Sequence, residues 1–326
     1  MKKFLTLSAI LCAGAVLSAQ PELLLKMDMT KEKDGALVKW NNNWAINKID
    51  RVILEKNGDG APYLKGRNRI QYYYSDLYAV TPADMIILEV TARGNDSVAP
   101  GYHIFAPRSA RMTGTCASSC RLGKDWKTYT VKKQIHIGFD RKKNKTLYPD
   151  MIRPFVLLRG KGYQFKDYSI SIIRNPVLTG WQIDHGLSRG GIKAAEDGSV
   201  AFAGHASFFV SKLEKVKAGN KIIFTFRARG KGTLAAGFKL YDLKYHPRRK
   251  GATHCGEFSR TEQINSSAWK TITVTGTVDN VTKDGKRLLV NRIRRTFSVK
   301  ASDGAEIEIK SLSCKIEAEE LTMPAI

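Results

Sequence analysis

The sequence lacks the patterns that mark many enzymes and most helical proteins. After residue 19 no apolar run is long enough to cross a bilayer, and no amphipathic helix of normal length appears. A glycosidase needs two carboxylates at its active site. The chain contains an internal repeat, described below, and its two copies offer no matching acid pair, since Glu89 in one copy corresponds to Thr225 in the other. We also expect no Gly-x-Ser-x-Gly elbow of a serine hydrolase. These absences disfavour a membrane span and the commonest hydrolases, and we predict no catalytic residues.

Acidic residues are few relative to basic ones. Lys and Arg number 54 against 30 Asp and Glu, a formal net charge of +24. Removing Lys2 and Lys3 with a predicted leader gives 54 − 2 = 52 basic residues and a net charge of +22. This excess favours an anionic partner, and a surface that only keeps the protein soluble is the alternative. Because the basic residues are spread along the chain, we expect no specific nucleic-acid partner.

The N-terminus has the features of a signal peptide. Lys2 and Lys3 precede the apolar stretch 4–16, which is too short for a membrane span, and small residues end at Ala19. We therefore predict that residues 1–19 are removed and that the product is secreted, periplasmic or held at the cell surface.

Cysteines are also few, and four remain beyond the predicted leader: Cys116, Cys120, Cys255 and Cys314. An even number in an exported protein allows two disulfides. The close spacing of Cys116 and Cys120 predicts a local bond between them. A bond between Cys255 and Cys314 requires the loop 242–258 to fold against the last strand.

What the sequence does contain is one β-rich unit written twice. The segment Met-Ile-Ile-Leu-Glu-Val-Thr-Ala-Arg-Gly at 85–94 has a second copy at 221–230, and the two align without a gap. The alternating apolar and polar positions of both copies are typical of a strand that covers a core. A second matching stretch begins at Trp126 and Trp269. We predict an all-β protein of two tandem sandwich domains, at 20–175 and 176–326, that contact each other.

The order of these features resembles a known group of domains. Gly180-Trp181, the strand at 226–230, the strand that begins at Trp269 and the last strand after Asp303 carry the resemblance. It is to the galactose-binding-like jelly rolls used as carbohydrate-binding modules, such as families 4, 9, 16 and 22. The resemblance implies two jelly-roll β-sandwiches in which aromatic rings stack on sugars. It also implies a structural calcium in the first domain, with Asp167 as a ligand, and no other cofactor.

Candidate ligand-binding residues occupy outward strand positions and a long loop rich in aromatic and basic residues. They are Tyr241, Tyr245, His246, Arg248, Arg249, Arg227, Phe105 and His103. Trp126 and Trp269 are interpreted mainly as scaffold. The basic group at 292–295 is interpreted as an exposed connection.

Together these patterns predict an exported, non-catalytic carbohydrate-binding protein for an anionic or cell-surface polysaccharide. A structural or adhesive protein of the cell surface or matrix is the alternative. A polysaccharide lyase that uses Tyr241, His246 and Arg248 is less favoured.

Overall fold

The computed structural model describes residues 20–28, 32–33, 36–37, 39–42, 53–56, 62–66, 70–105, 112–140, 145–159, 162–243, 253–283 and 286–318. Within these ranges every regular element is a β-strand, which confirms the all-β prediction. They accordingly hold no helix with the length and apolarity that a membrane crossing needs. The predicted leader lies outside them, and its removal stays a prediction.

The first repeat consists of two packed layers of antiparallel strands. Its strands are β1 (Glu22–Lys26), β2 (Glu32–Lys33), β3 (Ala36–Leu37), β4 (Trp40–Asn42), β5 (Ile53–Lys56), β6 (Pro62–Gly66), β7 (Ile70–Tyr74), β8 (Tyr78–Ala79), β9 (Met85–Gly94), β10 (Ser97–Phe105), β11 (Met112–Ala117), β12 (Cys120–Arg121), β13 (Lys127–Gln134), β14 (Gly138–Asp140), β15 (Lys145–Leu147), β16 (Met151–Arg159) and β17 (Tyr163–Ile173). Layer one has the order β13-β9-β17-β6-β5, and layer two has the order β11-β10-β16-β7-β4.

In the second repeat one sheet runs through both layers. Its strands are β18 (Gln182–Ile183), β19 (Arg189–Ala194), β20 (Val200–Phe209), β21 (Glu214–Lys215), β22 (Lys221–Asp242), β23 (Thr253–Thr277), β24 (Val281–Lys283), β25 (Lys286–Leu288), β26 (Arg292–Ala301) and β27 (Ile307–Glu317). The start of β22 pairs with β27 in layer one, and its end pairs with β26 in layer two. The protein is therefore two tandem jelly-roll β-sandwiches, and the boundary at 176 stays a prediction.

The strand register confirms the duplication. Ile86 in β9 lies opposite Ile172, and its counterpart Ile222 in β22 lies opposite Ile316. Both pairs join the central strand to the last strand of the repeat. The gap-free alignment of the two copies therefore relates positions that are equivalent in three dimensions.

The central strands bury the apolar face that their alternation predicts. Its members are Ile86, Leu88, Val90 and Ala92 in β9 and Ile222, Phe224, Phe226 and Ala228 in β22. All are at most 3% exposed. The ring centroids of Phe226 in layer one and Phe297 in layer two are 6.0 Å apart, so the core lies between the layers. Burial of each large side chain contributes about 1.5–3 kcal/mol to folding.

Glycine allows β22 to pass from one layer to the other. Gly230 has φ of 120° and Gly232 has φ of 147°, values that side chains disfavour. A Cβ on Gly230 would lie 2.1 Å from the carbonyl oxygen of Glu306. The glycine that ends the Ala-Arg-Gly motif is thus required where the chain changes layer.

The two repeats contact each other, as predicted. The Gln134 amide donates to the carbonyl oxygens of Pro82 and Ile192, both at 2.9 Å. Tyr148 is 1% exposed, packs into the core of the second repeat and donates to the Gly190 carbonyl at 2.7 Å. The contact is therefore both hydrogen-bonded and apolar.

Neither predicted disulfide is present in this structure, in which all four cysteines are free thiols. Cys116 lies opposite Tyr102 and Cys120 lies opposite Val98 on the same strand. Four residues of extended chain span about 13 Å, whereas the Cα atoms of a disulfide are at most about 7 Å apart. The chain between β11 and β12 stays extended alongside β10, where the Ser118 amide donates to the Pro100 carbonyl, and this separates the two thiols.

The second predicted disulfide is also not formed. Cys255 donates to the Thr253 carbonyl at 3.3 Å. Cys314 lies opposite Phe224 in layer one, and burial raises the pKa of its thiol. A raised thiol pKa lowers the fraction of thiolate, which is the form that reacts in disulfide formation.

Candidate functional site

The outer face of layer two in the second repeat combines aromatic, basic and hydroxyl-bearing side chains. We call it the open face; its members are Ser207, Phe209, Lys239, Tyr241, His254, Glu257, Ser259, Arg294, Thr296 and Ser298. All of these residues are partly or fully exposed. They alternate with buried neighbours such as Phe238 and Phe297, so their side chains are directed away from the core.

Arg294 occupies the centre of the aromatic part of the open face. Its strand β26 lies between β20 and β22. The guanidinium carbon is 5.6 Å from the ring centroid of Phe209 on one neighbouring strand and 5.6 Å from that of Tyr241 on the other. Each cation–π contact contributes about 0.5–1 kcal/mol at an exposed site. The rings orient a planar group whose in-plane donors suit a carboxylate or sulfate.

Small side chains form the floor beside this arginine. Ser298 lies opposite Ser207 on one side and Ala235 on the other, and Thr296 lies opposite Gly237. These positions form rows across three strands. Their short side chains leave room above the sheet, and the hydroxyl groups can donate and accept hydrogen bonds.

The remaining side chains give this end of the face a positive charge. Lys239 lies between Arg294 and Glu257 in the register, so two cations accompany one acid. The Tyr241 and His254 ring centroids are 5.5 Å apart in an edge-to-face arrangement. The face can therefore stack on a ring, bond to hydroxyl groups and attract an anion.

The first repeat contains an equivalent arginine, which also lies between two aromatic rings. The Arg153 guanidinium carbon is 4.9 Å from the Phe105 ring centroid and 5.5 Å from that of Tyr73. The candidates Phe105 and His103 lie on the outward side of their strand, as predicted. However, Phe105 is 5% exposed and His103 is 9% exposed, so the structure does not present them to a ligand.

His103 is held by neighbours that favour its neutral form. Its Nε2 lies 3.3 Å from Gln71 Nε2, its Nδ1 lies 3.2 Å from Thr115 Oγ1, and its ring stacks on Phe155 at 4.5 Å. Burial, with the nearby charge of Arg153, lowers the pKa of His103 to about 4. A neutral imidazole provides no charge for an anionic ligand near neutral pH.

The structure does not bring all the predicted site residues together. Arg227 is exposed on the outer face of layer one, opposite Thr271 and Ser311, whereas Tyr241 is on layer two. The core separates these faces, so Arg227 and Tyr241 do not share a site. Four further candidates lie outside the described residues: Tyr245, His246, Arg248 and Arg249.

Sequence reasoning missed Arg294 and Phe209. The group at 292–295 is part of strand β26, so its interpretation as an exposed connection is wrong. Arg153 and Tyr73 hold the equivalent positions in the first repeat, but this equivalence follows from the strand register and is not visible in the sequence alone.

The repeated tryptophans are held by the protein's own cations. Arg229 lies 4.6 Å and Lys310 lies 5.7 Å from the Trp269 ring centroid. Arg229 also donates to Glu308 at 2.8 Å, and this bond raises the pKa of its guanidinium. Trp126 has the same surroundings, with Arg93 at 4.8 Å and Lys166 at 4.9 Å. These contacts favour the scaffold interpretation.

Asp167 does not fit the calcium ligand that the resemblance implies. Its carboxylate is 40% exposed and lies 3.7 Å from Lys26 Nζ. Calcium takes six to eight oxygen ligands. Across the part of the chain that the structure describes, no three His, Cys, Asp or Glu side chains are grouped to hold a metal.

Two other features do not form a competing site. Residues 186–190 have the Gly-x-Ser-x-Gly spacing that we expected to be absent, but Ser188 is 1% exposed and its hydroxyl bonds to the Ser207 backbone. Ser188 leads directly into strand β19, whereas a nucleophile elbow leads into a helix. A shallow cleft of about 530 Å³ is lined by residues without an aromatic ring: Gly230, Lys231, Asn265, Ser266, Ser267, Ala305 and Glu306.

Several solved structures are similar to this chain at low sequence identity. The tandem CBM22-1–CBM22-2 domain of Paenibacillus barcinonensis Xyn10C is 10% identical, covers 93% of this chain and 100% of its own, and has a TM-score of 0.32. TmCBM61 in complex with β-1,4-galactotriose is 20% identical, covers 44% of this chain and 97% of its own, and has a TM-score of 0.27.

A CBM4 structure is 16% identical, covers 42% of this chain and 86% of its own, and also has a TM-score of 0.27. No protein-family model and no curated protein matches the chain. At these TM-scores no binding site can be carried over from those structures to this chain. The function is therefore inferred from the residues described above.

Proposed function

We propose that this is an exported, non-catalytic carbohydrate-binding protein whose ligand is an anionic or cell-surface polysaccharide. The observation that carries the proposal is Arg294 held between the rings of Phe209 and Tyr241 beside a floor of small hydroxyl-bearing side chains. Aromatic rings stack on the apolar faces of sugars, and an oriented guanidinium group bonds to an acidic substituent. The net charge of +22 that remains after removal of the predicted leader supports an anionic ligand.

A glycan array at two salt concentrations tests this proposal. We expect binding to carboxylated or sulfated glycans that weakens with added salt, because charges separated by more than about 8–10 Å are screened at physiological ionic strength. Binding that disappears completely for every glycan at moderate salt would favour a charge-driven adhesive protein. Absence of binding at both concentrations would contradict the proposal.

Site variants connect any binding to the open face. Tyr241→Ala should weaken binding with little loss of stability, because Tyr241 is only half-buried. The matched control is Phe105→Ala, which should lower stability and leave affinity unchanged, because Phe105 is buried.

The lyase alternative has one favourable observation, which is the His254 ring beside Tyr241. A lyase requires a general base next to an acidic sugar. The same acidic glycans should therefore be incubated with the protein, and the ultraviolet absorbance of an unsaturated product recorded. Steady formation of that product, lost in Tyr241→Phe, would replace the non-catalytic proposal.

A further inference from the structure

The two copies of the layer-two face differ at its floor. Phe155 lies opposite Gly101 and Tyr73, and Thr296 lies opposite the equivalent residues Gly237 and Phe209. Phe155 and Thr296 are therefore the same position in the two repeats. By the same register Leu157 corresponds to Ser298. Two large apolar side chains in the first repeat thus replace two small hydroxyl-bearing ones.

The apolar residues of the first repeat form a cluster separate from the main core. Phe155 is 1% exposed, Leu157 is 6% exposed and Ala99 is 3% exposed, and Tyr73 packs against them. They alternate with Ile152, Val156 and Leu158, which belong to the core between the layers. The first repeat therefore buries apolar side chains on both sides of β16.

Two polar residues beside this cluster, Gln71 and His103, are also buried. Gln71 is 5% exposed and bonds to His103, whereas its counterpart Ser207 is partly exposed on the open face. Phe105 is buried, and its counterpart Tyr241 is accessible. Arg153 and Tyr73 stay partly exposed, but the apolar side chains beside them are buried, so this face offers a sugar ring less open surface than the open face does.

We propose that polysaccharide binding is confined to the second repeat, and that the equivalent face of the first repeat is closed by Phe155 and Leu157 and serves as a second core. This inference rests on the proposed function of the open face. It identifies Thr296 and Ser298 as the positions that keep the face open. One chain then binds one stretch of polysaccharide.

The test transfers the closing residues to the open face. The double variant Thr296→Phe, Ser298→Leu should abolish binding of a galacturonic acid hexamer and of a heparin hexasaccharide in calorimetry. Wild-type protein should bind one hexamer per chain. Ser313→Leu is the matched control, because Ser313 is an exposed strand residue on the outer face of layer one. It should leave affinity unchanged.

Two equivalent sites per chain, or full binding by a correctly folded double variant, would overturn the inference. If wild-type protein binds neither these probes nor any arrayed glycan, the proposed function fails instead. The closure is then still tested by NMR titration of His103. A covered imidazole should titrate near pH 4, whereas titration near 6.5 would show an accessible face and refute the closure.

Discussion

Replacement of Arg294 by lysine separates planar recognition from simple charge. Lysine keeps the positive charge but cannot form two parallel hydrogen bonds or lie flat between Phe209 and Tyr241. A hydrogen bond to a charged group contributes about 1.5–3 kcal/mol, and an exposed cation–π contact about 0.5–1 kcal/mol. Loss of the bidentate geometry should therefore cost about 2–3 kcal/mol of binding free energy. That is a dissociation constant raised about 30- to 150-fold.

Calorimetry at one fixed ionic strength measures this change, with chemical denaturation to show that the fold is retained. Arg153→Lys is the matched control, because Arg153 has the same two-ring surroundings in the first repeat. The dissociation constant of this control should stay within about twofold of the wild-type value, which is a change of about 0.4 kcal/mol or less in binding free energy. A folded Arg294→Lys protein with wild-type affinity would refute direct recognition of the ligand by the guanidinium group.

The core, the buried histidine and the free thiols each give a further prediction. Phe226→Ala should lower the free energy of unfolding by about 3–5 kcal/mol in denaturant titrations, because Phe226 is 0% exposed; a loss below about 1 kcal/mol would contradict its place in the core. The unfolded chain protonates His103 below about pH 6.5 and the folded chain only below about pH 4, so stability should fall as pH is lowered between these values. This fall should be smaller in His103→Gln. Thiol labelling of denatured, unreduced protein should find Cys116 and Cys120 free, and a peptide that links them would contradict the strand register.

The strand pattern and the duplication could be predicted from the sequence because both are local or repeated signals. Alternation in β9 and β22 identified the buried face, and the gap-free match between these strands identified equivalent positions. Inward and outward sides of β10 were also predicted correctly. Period-two patterning is sufficient for this, since successive side chains in a strand point to opposite faces.

The composition of the site could not be predicted, because it depends on which strands become neighbours. Arg227 and Tyr241 belong to one continuous strand, and nothing local shows that Gly230 and Gly232 carry the chain into the other layer between them. Arg294 joins Phe209 and Tyr241 only through pairing of β26 with β20 and β22. These are long-range contacts without a local sequence signal.

Burial was the second unpredictable quantity. His103 and Lys239 hold equivalent positions on outward sides, and sequence parity treats them alike. The first is 9% exposed beside an additional apolar cluster, and the second is partly exposed. Parity gives the direction of a side chain, whereas exposure depends on what covers the sheet.

Hydroxyl-radical footprinting of the protein with and without a bound acidic oligosaccharide tests the central claim most directly. The method reports the solvent exposure of individual aromatic side chains by mass spectrometry. We predict that Tyr241 and Phe209 become protected and that Trp269, on the outer face of layer one, keeps its reactivity. Protection of Trp269 with no change at Tyr241 and Phe209 would contradict the assignment of the open face as the binding site.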